Sequence, residues 1–220
     1  SIKLSIATTY EKGVHELING DVDFARLGPA SYIHAYQQNP NISLLAMETK
    51  KGKKSFKGVI CVHKDSTIKS MNQLKGKRFA FGNKNSTIGR YLSQQYLVKH
   101  GINAHDLASY SYLGRHDKVG YSVAHKKFDA GALKKSTLKK LIKKGLPLKI
   151  IASFNNVTKP WVAREKLNKN MMTSLQAALL NLKDKQILKV LKKDGFTTAT
   201  INDYREIKDS INNNNKFFIK

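Results

Sequence analysis

The sequence predicts an α/β protein with mainly parallel sheets. Short apolar or alternating runs of strand length take turns with segments of helical period, and Gly, Asn or Pro stands at most of the junctions. No internal repeat interrupts this alternation.

In chain order, residues 2–7 (IKLSIA) alternate as a strand, and 10–20 (YEKGVHELING) read as a helix stopped by Asn19-Gly20. Residues 21–28 (DVDFARLG) form a strand ending at Gly28, and Pro29 then opens a helix through ASYIHAYQQN. Residues 42–50 and 56–64 (FKGVICVHK) are strands joined by the basic turn KGKKS. A short helix at 70–76 precedes the strand KRFAFG at 77–82. A long helix follows, then YSYLG, the helical stretch RHDKVGYSVAHK, the strand FDAGAL at 128–133 and a lysine-rich helix. LKIIASF and KPWVARE are further strands. Residues 170–193 and 202–213 are helical, and the Asn-rich stretch INNNNK is expected to fray.

With 220 residues, 40% hydrophobic and 25% charged, the chain can build one domain or two small lobes. No run of about eighteen apolar residues exists to span a bilayer as a helix. No secretory leader is visible ahead of SIKLSIATTYEKG; a processed chain would have lost one. The single cysteine, Cys61, sits in the apolar run GVICV and is expected to be a small buried residue. A lone cysteine cannot form a disulfide within the chain or a cysteine zinc site.

Forty Lys and Arg against fifteen acids give a net charge of +25, which suits nucleic acid, an anionic membrane surface or an anionic ligand. The lysines at 139, 140, 143 and 144 recur at helical spacing opposite Leu138, Leu141 and Ile142, the pattern of a solvated helix face. Aromatic residues do not interleave with them, so specific nucleic-acid binding is not expected.

Two junctions carry the chemistry. FGNKNSTIGRY places Asn85, Ser86 and Thr87 where a strand hands over to a helix with free N–H groups. Those residues suit either a cap or an anion site, and the G-K-[ST] ending of a Walker loop is missing. In LGRHDKVG, His116 follows a strand at the end where open α/β sheets collect ligands, and it can donate to an anion or be a plain loop histidine. Asp129 could orient a site or simply open a strand. The other histidines (15, 34, 63, 100, 105 and 125) lack metal-ligand spacing. There is no nucleophile elbow, paired catalytic carboxylate or metal motif. An acid-poor, hydroxyl-rich anion site points to binding rather than catalysis, with no cofactor and no metal.

Together, GDVDFARLGPASYIHA, FKGVICVHKDSTIKSMNQLKGKRFAFGNKNSTIGRYL, GRHDKVGYSVAHKKFDAGAL and KPWVAREKL resemble the phosphonate, phosphite and phosphate-binding proteins of ABC transporters, over nearly the whole chain. The resemblance implies a two-lobed type II periplasmic-binding fold, with residues 1–64 and 153–220 in lobe 1, 65–152 in lobe 2 and the ligand between them. The family's first strand and helix have no counterpart ahead of IKLSIATTY. By the same resemblance the Ser/Thr loop corresponds to Asn85, Ser86 and Thr87, the binding histidine to His116, and a binding tyrosine to Tyr10. Ile88 stands where many members continue with Ser, leaving its N–H as the donor, and Phe56 stands where a Tyr is common. Gly28, Ser31 and Tyr32 fall in the GPASY motif, and Asp129 is expected to support the loop. Where aminophosphonate binders present carboxylates, this chain offers Ser136 and Lys159.

The implied function is capture of a small phosphorus oxyanion, such as phosphate, phosphite or an alkylphosphonate, and its delivery to a permease. The protein would be a monomer in the periplasm or anchored outside the cytoplasmic membrane, at most peripheral to it. A ligand-sensing domain of a signalling protein and a basic nucleic-acid or surface-binding protein are the alternatives.

Overall fold

A computed structural model of the chain describes residues 2–219. Helix α1 spans Tyr10–Ile18, strand β1 Phe24–Arg26, α2 Pro29–Gln38, β2 Ser43–Thr49, β3 Ser55–His63 and β4 Arg78–Phe81. Then come α3 (Leu92–Val98), β5 (Ser109–Tyr112), α4 (His116–Ala124), β6 (Ala130–Lys134), α5 (Lys135–Lys143) and β7 (Leu148–Val157). The remainder comprises β8 (Pro160–Ala163), α6 (Lys169–Leu180), α7 (Lys185–Leu191), β9 (Gly195–Thr197) and α8 (Arg205–Asn212). The segment expected to be helical over 170–193 is therefore two helices, with Asp184 capping the second through Gln186 and Ile187 N–H.

The chain forms two compact units. Unit 1 holds the residues up to Phe56 together with Val157–Glu206; unit 2 holds Lys57–Asn156 and the residues from Ile207 onward. The segment from 207, expected in the first lobe, thus belongs to the second unit. The chain passes between units three times, and β3 and β7, at whose ends two of these passages fall, are neighbours in the unit 2 sheet.

Unit 1 has a four-stranded sheet of order β1-β8-β2-β9. Its pairings are all antiparallel: Val162 of β8 faces Ala25 on one side and Leu44 on the other, and Met47 faces Thr197. The expectation of mainly parallel sheets fails here. A strand from late in the chain is inserted between two early ones, which local alternation of strand and helix cannot foretell. The core gathers Leu17, Tyr32, Ile33, Leu45, Met47, Val162 and Tyr204, with the Tyr32 and Tyr204 rings edge to face at 5.0 Å. Glu48 is fully buried and is held by both Arg26 and Lys193, so its charge is matched inside the unit. Residues 2–7 form no strand. Ile2, Leu4 and Ile6 alternate as expected but are exposed, because alternation supplies an apolar face and not a neighbour to pair with.

Unit 2 has a five-stranded sheet of order β5-β4-β6-β3-β7. Strand β4 runs parallel to both β5 and β6, with Phe81 opposite Tyr112 and Ala80 opposite Gly131. Strand β3 is antiparallel to β6. One face is covered by α4 and α5, whose Val119, Val123, Leu138 and Leu141 pack on Val59, Cys61, Ala80 and Leu133. Burial pushes the Cys61 thiol up to about 12, so it is an inert core group. Near the other end of the chain, Asn214 and Phe217 are buried rather than frayed. Asn214 donates to Gln94 Oε1 at 2.8 Å, Gln94 donates to the Tyr112 hydroxyl at 2.7 Å, and the Phe217 ring meets Phe81 and Tyr110 edge to face.

Phe217→Ala is expected to cost about 3–5 kcal/mol of unfolding free energy, the usual cost of emptying a buried aromatic site. Urea titration measures it. A midpoint equal to that of the parent would show that residues beyond 207 are not part of the unit 2 core.

Candidate functional site

Strands β4, β5 and β6 run the same way, so their carboxyl ends share one edge of the unit 2 sheet. Each leads into the start of a helix, through a five-residue loop after β4, three residues after β5 and directly after β6. After β4 the chain turns through Gly82 to Ile88. Asn83 Oδ1 accepts from Asn85 N–H at 2.8 Å, and Ser86 N–H donates to Asn83 O at 3.0 Å. Ser86 is the N-cap: its Oγ accepts from Gly89 N–H at 3.1 Å. A single wide turn over Thr87–Tyr91 then leads into α3. Capping and anion binding are compatible readings of Ser86, because a hydroxyl that accepts one bond still has its own proton to donate. Ser86, Thr87 and Ile88 are all buried.

Two glycines make the loop possible. Gly82 N–H donates to Gly89 O at 2.9 Å, and the backbones meet so closely that a Cβ on Gly82 would stand 2.9 Å from Gly89 Cα. A Cβ on Gly89 would stand 2.8 Å from Asn83 N. No side chain fits at either position without moving backbone.

After β5, Leu113 and Gly114 N–H donate to Phe81 and Gly82 carbonyls, which ties this second loop to the first. His116 opens α4. Its N-cap, Arg115, makes no side-chain cap and instead pairs bidentately with Asp117, at 3.0 and 2.8 Å. The His116 Nδ1 atom is buried with no hydrogen-bond partner, and it lies 3.5 Å from where a Gly82 Cβ would be. Burial above all, and then the Lys134 charge, hold the imidazole down at about 4, against the pull of Asp117. It is a neutral donor at pH 7. After β6, Lys134 is the N-cap of α5 and makes no side-chain cap. Three helix starts, one capped by a hydroxyl and two without side-chain caps, thus share one edge with a buried imidazole and a lysine. Such an edge offers N–H donors and a positive potential.

Apart from Asp117, which Arg115 engages, the carboxylates of residues 57–156 lie elsewhere. Asp129 precedes β6 and holds Arg78 at the opposite end of β4, through Arg78 N–H at 2.8 Å and the guanidinium at 2.9 Å. Its expected support of the Ser/Thr loop is therefore replaced by an ion pair at the far edge, which also keeps the Asp129 carboxyl below its usual range. Asp106, just before β5, and Asp65, just after the antiparallel β3, flank that same far edge. Among the described residues no three His, Cys, Asp or Glu side chains cluster as a metal site would require.

In unit 1, Tyr10 opens α1 and Gly28 caps α2 ahead of Pro29. A Cβ on Gly28 would lie 3.6 Å from Ser31 Oγ and 3.8 Å from the Tyr10 ring, so these three residues are neighbours. Ser31 and Tyr32 are buried, Tyr10 is partly exposed, and Phe56 stands near the start of β3.

The family model described as "ABC transporter, phosphonate, periplasmic substrate-binding protein" matches residues 1–204. The chain belongs to this family. Among its relatives is the "Probable ABC transporter phosphite binding protein PhnD1" of Prochlorococcus marinus strain MIT 9301, 29% identical over 211 residues, which cover 86% of this chain and 70% of PhnD1. The structure of PhnD1 in complex with methylphosphonate matches with a TM-score of 0.83 at 27% identity, over 96% of this chain and 85% of that one. XAC2383 from Xanthomonas citri bound to ATP shares the fold at a TM-score of 0.83 and 20% identity, over 99% and 87%. The family comprises solute-binding components of transporters rather than enzymes, and the fold is that of periplasmic binding proteins. No helix among the described residues is long and apolar enough to cross a membrane.

Sequence reasoning places Gly82 in the loop but misses its close approach to Gly89, and it misses Gly89 and Lys134. A signal existed for the glycines: they bracket the loop in FGNKNSTIG. Lys134 was hidden in a run of similar lysines.

The unfolded chain protonates His116 below about pH 6.5. Between there and the folded value of about 4 the unfolded state holds more protons, so stability falls as pH falls across that window. The full effect is about 3 kcal/mol. His116→Gln is expected to lose markedly less stability than the parent between pH 6.5 and 4, read from thermal melts. Equal acid sensitivity, or a His116 NMR titration near 6.5, would contradict a buried neutral imidazole.

Proposed function

We propose that the protein captures a small phosphorus oxyanion at the carboxyl edge of the unit 2 sheet and presents it to the permease of an ABC transporter. In this reading the Ser86 and Thr87 hydroxyls and the N–H groups of the loop through Ile88, Asn85 included, hold the oxyanion. His116 adds a neutral imidazole donor, and Lys134 contributes charge from the next strand end. The observation that carries the proposal is the convergence of three helix starts on one edge whose one carboxylate, Asp117, is engaged by Arg115. Preorganised donors replace the water that solvates an oxyanion, at little reorganisation cost. The PhnD1 complex with methylphosphonate supports the same ligand class. Tyr10, beside Gly28 and Ser31, is the contact that the family resemblance assigns to unit 1.

Replacing Ser86 and Thr87 together with Ala is expected to weaken methylphosphonate or phosphite binding by a few kcal/mol, at about 1.5–3 kcal/mol per charge-assisted hydrogen bond. The lost cap costs about 1 kcal/mol of stability, so calorimetry is done well below the melting temperature. Unchanged affinity would leave Ser86 a cap and nothing more.

Selectivity follows from the placement of charge. The amine of 2-aminoethylphosphonate needs a carboxylate, yet Asp117 is engaged by Arg115, while Asp65, Asp106 and Asp129 lie at the far edge. Burying an unpaired ammonium costs several kcal/mol. Phosphate, phosphite and methylphosphonate are therefore expected to bind more tightly than 2-aminoethylphosphonate. Competition titrations at one pH and ionic strength decide this, and preference for the aminated ligand would refute it.

A further inference from the structure

We infer that the outer face of α4 and α5 in unit 2 is a docking surface for an anionic phospholipid bilayer. The two helices lie close together: a Cβ on Gly120 would be 2.2 Å from Leu141 Cδ1, so α5 sits directly against the α4 backbone. Their inward residues, Val119, Val123, Leu138 and Leu141, belong to one core cluster. What remains outward is one surface made by both helices. Lys139, Lys140, Lys143 and Lys144 are exposed on it, with Lys118 on α4 and Lys126 just beyond.

Two features separate this face from an ordinary solvated one. A surface that only keeps a protein soluble mixes both signs of charge. Here no Asp or Glu occurs anywhere from 130 to 164, and the nearest acids before it, Asp117 and Asp129, are already neutralised by Arg115 and Arg78. The second feature is apolar. Ile142 and Tyr121 each expose 41% of their surface among the lysines. An aliphatic side chain and an amphipathic ring, flanked by flexible ammonium groups, match the boundary between lipid headgroups and acyl chains. Each lysine near an anionic leaflet adds to the attraction. A nucleic acid is the poorer fit, since it would use stacked aromatics or arginine forks and gains nothing from Ile142.

The face is separate from the proposed oxyanion loop: none of these residues belongs to the Gly82–Ile88 turn, and Ser86, Thr87 and His116 are untouched by the test. Cosedimentation of the full chain with phosphatidylcholine vesicles, with and without phosphatidylglycerol, reads the binding across a salt series. The parent is expected to bind only the vesicles containing phosphatidylglycerol, and less as salt rises. Replacing Lys139, Lys140, Lys143 and Lys144 with Gln should lower partitioning by roughly tenfold or more. The same charge removed from unit 1, at Lys183, Lys185, Lys189 and Lys192, should lower it far less. Ile142→Ser, which keeps every charge, should also weaken binding. The inference is overturned if the parent ignores phosphatidylglycerol, if the two four-lysine variants lose binding equally, if Ile142→Ser binds like the parent, or if duplex DNA competes the vesicles away at equal phosphate concentration. Unchanged thermal melting of each variant ensures that a loss reflects the surface and not the fold.

Discussion

The shared direction of β4, β5 and β6 is the constraint on which the unit 2 site depends. A strand's direction decides which edge receives the loop that follows it. Three strands running together deliver three loops, and three helix beginnings, to one line. Gly82 and Gly89 then let the first loop fold back on itself, and the Leu113 and Gly114 hydrogen bonds fasten the second loop to it. If any one strand ran the other way, its helix start would lie across the sheet. No set of side chains on the remaining two would restore the convergence.

The same geometry sorts charge within unit 2. Asp65, Asp106 and Asp129 stand at the edge where the parallel strands begin, while Lys134 and the uncapped helix starts stand where they end. The large net charge of the chain is therefore not what defines the edge. A lysine-rich exterior raises the potential everywhere and is screened by salt, whereas oriented backbone N–H groups act at contact distance. His116 fits that scheme as a neutral group, because a buried imidazolium would need a partner that the surroundings do not offer.

Much of this was legible in the residues. Most strands and helices fall where period and punctuation place them, because those signals are local. The Asn85-Ser86-Thr87 loop and His116 were legible as junctions between strand and helix. What escaped was non-local. Nothing around Pro160 announces that β8 will separate β1 from β2. Asp129 looks like a loop support until β4 and β6 are paired, when its partner turns out to be Arg78 at the opposite end. Ile2, Leu4 and Ile6 carry a strand's alternation without a strand beside them among the described residues. The run at 211–216 looks like a fraying end by composition, yet Asn214 is a buried donor.

That last contact bears on the order in which the molecule can assemble. Asn214 and Gln94 are 120 residues apart, and Gln94 in turn holds the Tyr112 hydroxyl. Closing so long a loop is slow, and it cannot begin until every intervening residue has been synthesised. Residues 57–156 can collapse earlier, but with Phe81 and Tyr110 lacking the ring that covers them. A nascent chain would therefore stay incompletely folded until residues 214–217 emerge. Until that contact closes, the molecule carries an uncovered aromatic surface, the kind of patch through which incompletely folded chains associate.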